Sequence, residues 1–531
     1  MKSIPSRCHL RHFRSTSLVG LISIGVALCA GNAAFGDSSP DTSSHAAPSA
    51  VSSSDAGSHE AEVESHHDAE HSVPGAFWCW PFVLLLLCIA ILPLLHRTHE
   101  WWECNSSKLM VAAALSGVTL IYYQFRGFGF GHGEHAAAAG FATVLRVLDH
   151  AVVVDYIPFI VLLFSLFTIS GGISLRGDIP ARPLTNTVIL AIGGGLASFI
   201  GTTGASMLLI RPLLQINSER KRVVHTVVFF IFVVSNCGGL LLPIGDPPLF
   251  LGYLRGVPFM WTFSLWSEWL VCLAMLLAVY FVVDSIAWSR ETARDIRLDE
   301  TVRRPLKLRG QFNFVLLLGV VLAVGLLVPG KTLPWTGWVV PTSLPVIGGL
   351  VTLREFVMLG LAGLSMLLTS RVIREDNRFN FFAIKEVACL FMGIFIAMQV
   401  PIEILSAKGA ELGIDTPLKF FWATGILSSF LDNAPTYVVF FETAKTLVHA
   451  PGEGVMALGS DAYIHIEHLM AISCGAVFMG ANTYIGNGPN FMVKAIAEQS
   501  GIRMPSFFGY MIYSGAILIP IFVVITFIFM R

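Results

Sequence analysis

Charged residues are scarce in this sequence. Asp, Glu, Lys and Arg make up 13% of its 531 residues, about half of the roughly 25% usual in soluble domains. So little charge excludes a molecule whose surface mostly faces water. A formal net charge of −1 gives no basic footprint for a nucleic-acid partner. None of the nine cysteines forms a CxxC pair, and most lie inside apolar runs, so they read as small buried hydrophobes rather than a disulfide framework. No GxSxG, P-loop or dinucleotide fingerprint stands in a suitable context, which argues against an ATP-driven pump. His132-Gly-Glu-His135 and His465-Ile-Glu-His468 both depart from HExxH and read as solvated loop residues. No enzymatic activity and no cofactor is expected.

What the chain has in abundance is apolar length: 54% of its residues are hydrophobic. A helical span needs about 20 residues. Hydropathy places spans at 77–96, 107–124, 151–174, 223–253, 262–288, 312–329, 353–370, 381–402, 469–498 and 507–530. The start reads as a secretory signal over 1–36: Lys2, Arg7, Arg11 and Arg14, an apolar core at 17–30, and Ala34-Phe35-Gly36 as a cleavage site. Residues 37–74, rich in Ser, Asp, Glu and His, read as a disordered external tail.

Two further apolar stretches, 185–212 and 416–442, carry polar centres: Gly201-Thr202-Thr203-Gly204 and Asp432-Asn433-Ala434-Pro435. Such groups fit a re-entrant hairpin whose turn lies at membrane depth. Charge supports this. The loops at 289–311 and 371–380 are rich in Arg and Lys and read as cytoplasmic. Arg176, Arg182, Arg211, Arg220, Lys221 and Arg222 flank the first hairpin, whereas Glu403, Glu411, Asp415, Glu442 and Glu453 dominate the flanks of the second. One hairpin therefore opens inward and the other outward, with the N-terminal tail outside.

The halves also align: Phe167–Ile173 with Phe395–Ile402, Ser198–Gly204 with Ser429–Pro435, and Ile244–Phe250 with Ile485–Phe491. The expected fold is an all-α polytopic membrane protein with inverted-topology repeats, two re-entrant hairpins and two broken transmembrane helices. Residues 75–150 would form N-terminal spans and an outer loop, 151–288 the first transport repeat, 289–380 a connecting region, and 381–531 the second repeat.

Prolines and glycines break spans 223–253 and 469–498, freeing carbonyls for a small cation and helix N-termini for an anion. The candidate binding residues are Thr202, Thr203, Ser206, Ser235, Asn236, Asp246, Asp432, Asn433, Thr436, Asn482, Thr483 and Asn487. Their hard oxygens suit Na⁺ or H⁺ at the hairpin tips and helix breaks. Asp246 and Asp432 are the leading proton-coupling residues, because a carboxylate at membrane depth is costly and functional by default. Asp155 and Glu386 are second-rank proton carriers.

At these segments the chain resembles the ion transporter superfamily, which includes NhaD-type sodium/proton antiporters, arsenite permeases, citrate–metal symporters and divalent-anion/sodium symporters. SNCGGLLLPIGDPPLF (235–250) is similar to its SNxGGxxxxIGDPPN segment, with Leu249 in place of the usual Asn. LDNAPTYVVF (431–440) and GANTYIGNGPNF (480–491) resemble the second hairpin tip and the second-half counterpart. The first tip, GTTGAS (201–206), lacks the Asn of the symporters' Ser-Asn-Thr tip. The resemblance implies a dimeric secondary transporter of the inner membrane. With both acids retained, sodium/proton antiport is the leading expectation. Sodium- or proton-coupled transport of citrate or another organic anion is the alternative, and a membrane-embedded metal sensor using the His-rich tail is a third.

Overall fold

The computed structural model describes residues 73–95, 97–130, 137–301, 304–342, 351–459 and 462–530. The signal segment, the His-rich tail and the His132–His135 motif lie outside these residues. The described chain is predominantly helical, with two small two-stranded sheets. Five of its helices are long and apolar enough to cross a membrane, and a sixth span forms if one bent pair is counted together. The chain is an all-α polytopic membrane protein.

The first helices are α1 (Trp80–Ile91) and α2 (Asn105–Phe125). Within the stretch expected to be an outer loop, α3 (Phe141–Leu148) instead begins a helix that runs through a π-helical segment into α4 (Ile157–Ser170). Outer faces of the long helices expose Ile121, Ile192, Val282, Val315, Leu318, Ile512 and Phe527. Side chains of this kind, exposed along a span, belong against lipid.

The first hairpin is α5 (Pro183–Ile200) and α6 (Thr202–Ile216). Its turn is a single residue, Gly201, at φ +78°. Only glycine takes that conformation without strain, so Gly201 both ends α5 and caps α6. Broken span 223–253 becomes α7 (Val224–Val233), a 3₁₀ turn at Cys237–Leu240, and α8 (Pro247–Leu254). Then follow α9 (Trp266–Ser289), α10 (Ala293–Thr301), α11 (Phe312–Leu326), α12 (Leu353–Leu368) and α13 (Arg371–Asp376).

The second half opens with α14 (Phe382–Ala397) and α15 (Gln399–Lys408), which meet at a 42° bend. Pro401 accounts for the bend. Its ring clashes with the carbonyl four residues earlier, at Ala397. The second hairpin is α16 (Pro417–Phe430) and α17 (Asn433–Lys445). Its turn is built differently: Asp432 caps α17 by accepting from the Ala434 N–H at 3.0 Å. The second broken span is α18 (Ile466–Met479), a turn at Gly480–Asn482, and α19 (Gly488–Gln499), followed by α20 (Phe507–Phe529).

The basic loops gather at one end. The strand β1 (Ser174–Asp178) pairs antiparallel with β2 (Arg304–Arg309). Asp376, from the third basic loop, holds Arg176 and, at 3.7 Å, Arg309. The two ends of the first hairpin meet here, where Arg220 donates to the Ala181 carbonyl at 3.2 Å and pairs with Asp284 at 2.6 Å. At the ends of the second hairpin, Gly409, beyond α15, abuts Thr443 of α17 and its C-cap Thr446, while His468 lies tilted against Phe420 of α16 at 4.8 Å. His468 is thus a buried residue in the first turn of α18, not a solvated loop residue as its motif suggested.

Candidate functional site

The residues that start the helices after each turn and each break come together. Thr202 starts α6, Asp246 caps α8, Asn433 starts α17 and Asn487 caps α19. Asp246 is at the centre and buried. Its Oδ1 accepts from the Thr202 hydroxyl at 2.9 Å and from the Asn487 amide at 3.0 Å, and its Oδ2 accepts from the Asn433 amide at 2.5 Å. One donor therefore comes from each hairpin tip and a third from the opposite helix break. Each charge-assisted bond contributes about 1.5–3 kcal/mol. Four helix N-termini point their partial positive charge toward the same place. Together these terms reduce, without cancelling, the cost of burying a carboxylate here.

Glycines let the backbones approach. A Cβ on Gly245 would lie 2.2 Å from the Gly239 carbonyl oxygen, and one on Gly486 would lie 2.6 Å from that of Gly480. These pairs occupy equivalent positions in the two breaks. Serines tie each hairpin to its neighbouring break at equivalent positions too. Ser198 donates to the Gly238 carbonyl at 2.6 Å, and Ser429 donates to the Met479 carbonyl at 3.2 Å.

Amides and hydroxyls make up the surrounding layer. Asn236 donates to the Ile231 carbonyl at 2.8 Å and to Asn490 Oδ1 at 2.7 Å. Asn490 in turn donates to the carbonyls of Gly480 and Thr483, at 2.8 and 2.9 Å. The hydroxyls of Ser206 and Ser235 share a 2.8 Å bond. Asn482 donates to the Ser429 hydroxyl at 2.8 Å, and Thr483 to the Ser429 carbonyl at 2.5 Å. Thr436 donates to the Asp432 carbonyl at 3.0 Å. Thr203 sits half-buried beside Thr202. Buried acceptor oxygens remain on Asn433 and Asn482, whose Oδ1 atoms have no hydrogen-bond partner. Such oxygens are hard ligands that a cation could use.

Sequence reasoning left out Ser198, Ser429 and Asn490. The signal for Asn490 was present: it ends the GNGPN run, and a third amide in one broken span needs a polar partner. The two second-rank acids lie outside the network around Asp246. Asp155 pairs with Arg255 at 3.2 Å, and Glu386 pairs with Lys108 at 2.6 Å. No group of three metal-ligating side chains occurs among the described residues.

Residues 70–530 match a family described as "Putative citrate transport". The chain belongs to this family. The match covers both hairpins, both breaks and every residue around Asp246. No curated protein matches the chain.

Proposed function

We propose that the protein is a secondary transporter that moves a citrate-class organic anion together with a coupling cation, and that Asp246 lies at the centre of its binding site. One observation carries this reading. A buried carboxylate is held by donors from both hairpin tips and from a helix break, and every side chain bonded to it is an amide or a hydroxyl. No Lys or Arg among them neutralises a polycarboxylate, so such a substrate must arrive with its own cations. Asp246, Asp432 and the unpartnered Asn433 and Asn482 oxygens supply cation ligands. The helix N-termini supply donors for substrate carboxylates.

Family membership favours an anion substrate over sodium/proton exchange, which the same two acids would serve by binding Na⁺ or a proton in turn. The equivalent Gly239/Gly245 and Gly480/Gly486 contacts, and the opposed charge of the hairpin flanks, support an inverted repeat. Alternating access would then expose Asp246 to each side in turn. We place the protein in the inner membrane as a homodimer, with its N-terminal tail periplasmic.

The test uses purified protein in liposomes. Uptake of labelled citrate is measured with and without Mg²⁺, Na⁺ or an imposed pH gradient. Dissipation of a pH gradient by Na⁺, Li⁺ or K⁺ is followed in parallel. Cation-dependent citrate uptake supports the proposal. Exchange of Na⁺ for H⁺ without citrate uptake would replace it with antiport.

A further inference from the structure

The four helices that start around Asp246 leave in two directions. Helices α8 and α17 pack together and lead to Arg255 and Glu442. The buried charges met there are paired with one another. Arg255 meets Asp155 at 3.2 Å and Glu442 at 3.3 Å, and Lys445 meets Glu442 at 2.7 Å. Helices α6 and α19 also pack together, and they lead the other way. Arg211 lies nine residues beyond Thr202 on α6, about 14 Å along the helix, and α19 ends about 17 Å from its start. Both helices line a cavity of about 710 Å³, whose remaining walls come from β1, β2 and the 371–380 loop.

This cavity is not balanced in charge. Five cations line it: Arg176, Arg211, Lys307, Arg309 and Arg378. The single carboxylate among its lining residues, Asp376, is already held by Arg176 and Arg309. Arg211, Lys307 and Arg378 make no ion pair among the described residues. Cations crowded in a concave site without counter-charges raise the local concentration of anions. Guanidinium groups also match carboxylates two bonds at a time.

We propose that this basin is a docking site for the polycarboxylate substrate, where it binds on its way to or from Asp246 at the membrane face that carries the basic loops. The inference rests on the organic-anion reading above. The same chemistry would hold an anionic lipid headgroup. The basin's position where α6 and α19 end, two helices that begin at the Asp246 site, favours the transported anion.

The test compares the wild type with the Arg211→Gln/Arg378→Gln double variant in liposomes sorted by protease access to the 289–311 loop. Citrate KM is measured separately from each face, in neutral phosphatidylcholine vesicles and in vesicles containing phosphatidylglycerol. The expected result is a KM raised about tenfold, one charge-assisted contact's worth, from the basic-loop face only and in both lipids. Arg211→Lys/Arg378→Lys should restore most of it. Should the double variant fail to fold, Lys307→Gln, on an exposed strand, should give a smaller rise with the same sidedness. An unchanged KM, an equal rise from both faces, or a rise confined to phosphatidylglycerol vesicles would overturn the docking site while leaving citrate transport standing. A wild type that carries no organic anion from either face would overturn the transport reading and this inference with it.

Discussion

Asn433 donates to Asp246 across 2.5 Å, joining the tip of the second hairpin to the break in the first half of the chain, 187 residues away in sequence. Thr202 makes the equivalent bond from the first hairpin. Neither hairpin could move relative to α8 without changing the hydrogen bonding of this one carboxylate. Asp246→Asn keeps the shape and removes the charge. Transport should fall at least about tenfold, the worth of one charge-assisted bond, while the purified variant stays monodisperse. Uptake assays at matched protein levels check this.

The glycine contacts predict opposite outcomes for one substitution at two sites. Gly245→Ala drives a Cβ to 2.2 Å from a backbone oxygen, which cannot swing aside. It should destabilise by about 1–3 kcal/mol and abolish transport. Gly195→Ala lies in α5 with open space around it. It should be neutral or stabilise by about 0.5–1 kcal/mol, since glycine weakens a helix interior. Thermal unfolding in detergent separates the two.

The lock at the basic end of the first hairpin is an ion pair buried on both sides, with Arg220 Nη2 at 2.6 Å from Asp284 Oδ1. Asn186 and His225 also reach Asp284, at 3.2 and 2.8 Å. Asp284→Ala leaves Arg220 buried and uncompensated, and should cost about 3–5 kcal/mol. His225→Gln loses one bond of several and should cost about 1 kcal/mol. Chemical or thermal unfolding curves of the two variants should differ accordingly.

Topology gives a direct test of opposed hairpins. Lys221 and Glu453 are exposed residues just beyond the first and second hairpins. Single cysteines at these positions, in a background without native cysteines, should react with an impermeant maleimide from opposite sides of the membrane. Reaction of both from one side would remove the inverted repeat.

Much of the site could be read from the sequence because its elements depend on residues with strong local meaning. Gly201 has no substitute at positive φ, Asp432 caps a helix wherever it precedes one, and Pro247 and Pro489 begin helices rather than continue them. The bend at Met398, inside the stretch read as one span at 381–402, had its local signal in Pro401. What could not be read were partners far apart in sequence. Asp155 and Glu386 read as isolated membrane acids until Arg255 and Lys108 are seen beside them. Likewise α3 hides behind a Gly- and His-rich stretch, and the basic basin assembles from five segments, none of which is unusual alone.

The central claim is that Asp246 sits where the substrate and its cation bind. Binding of labelled citrate to detergent-purified wild type and Asp246→Asn, titrated with and without Mg²⁺ and Na⁺, tests it most directly. The account predicts saturable binding to the wild type that requires a cation and is lost in the variant. Citrate binding of equal affinity in both proteins, or none to the wild type under any cation, would contradict it.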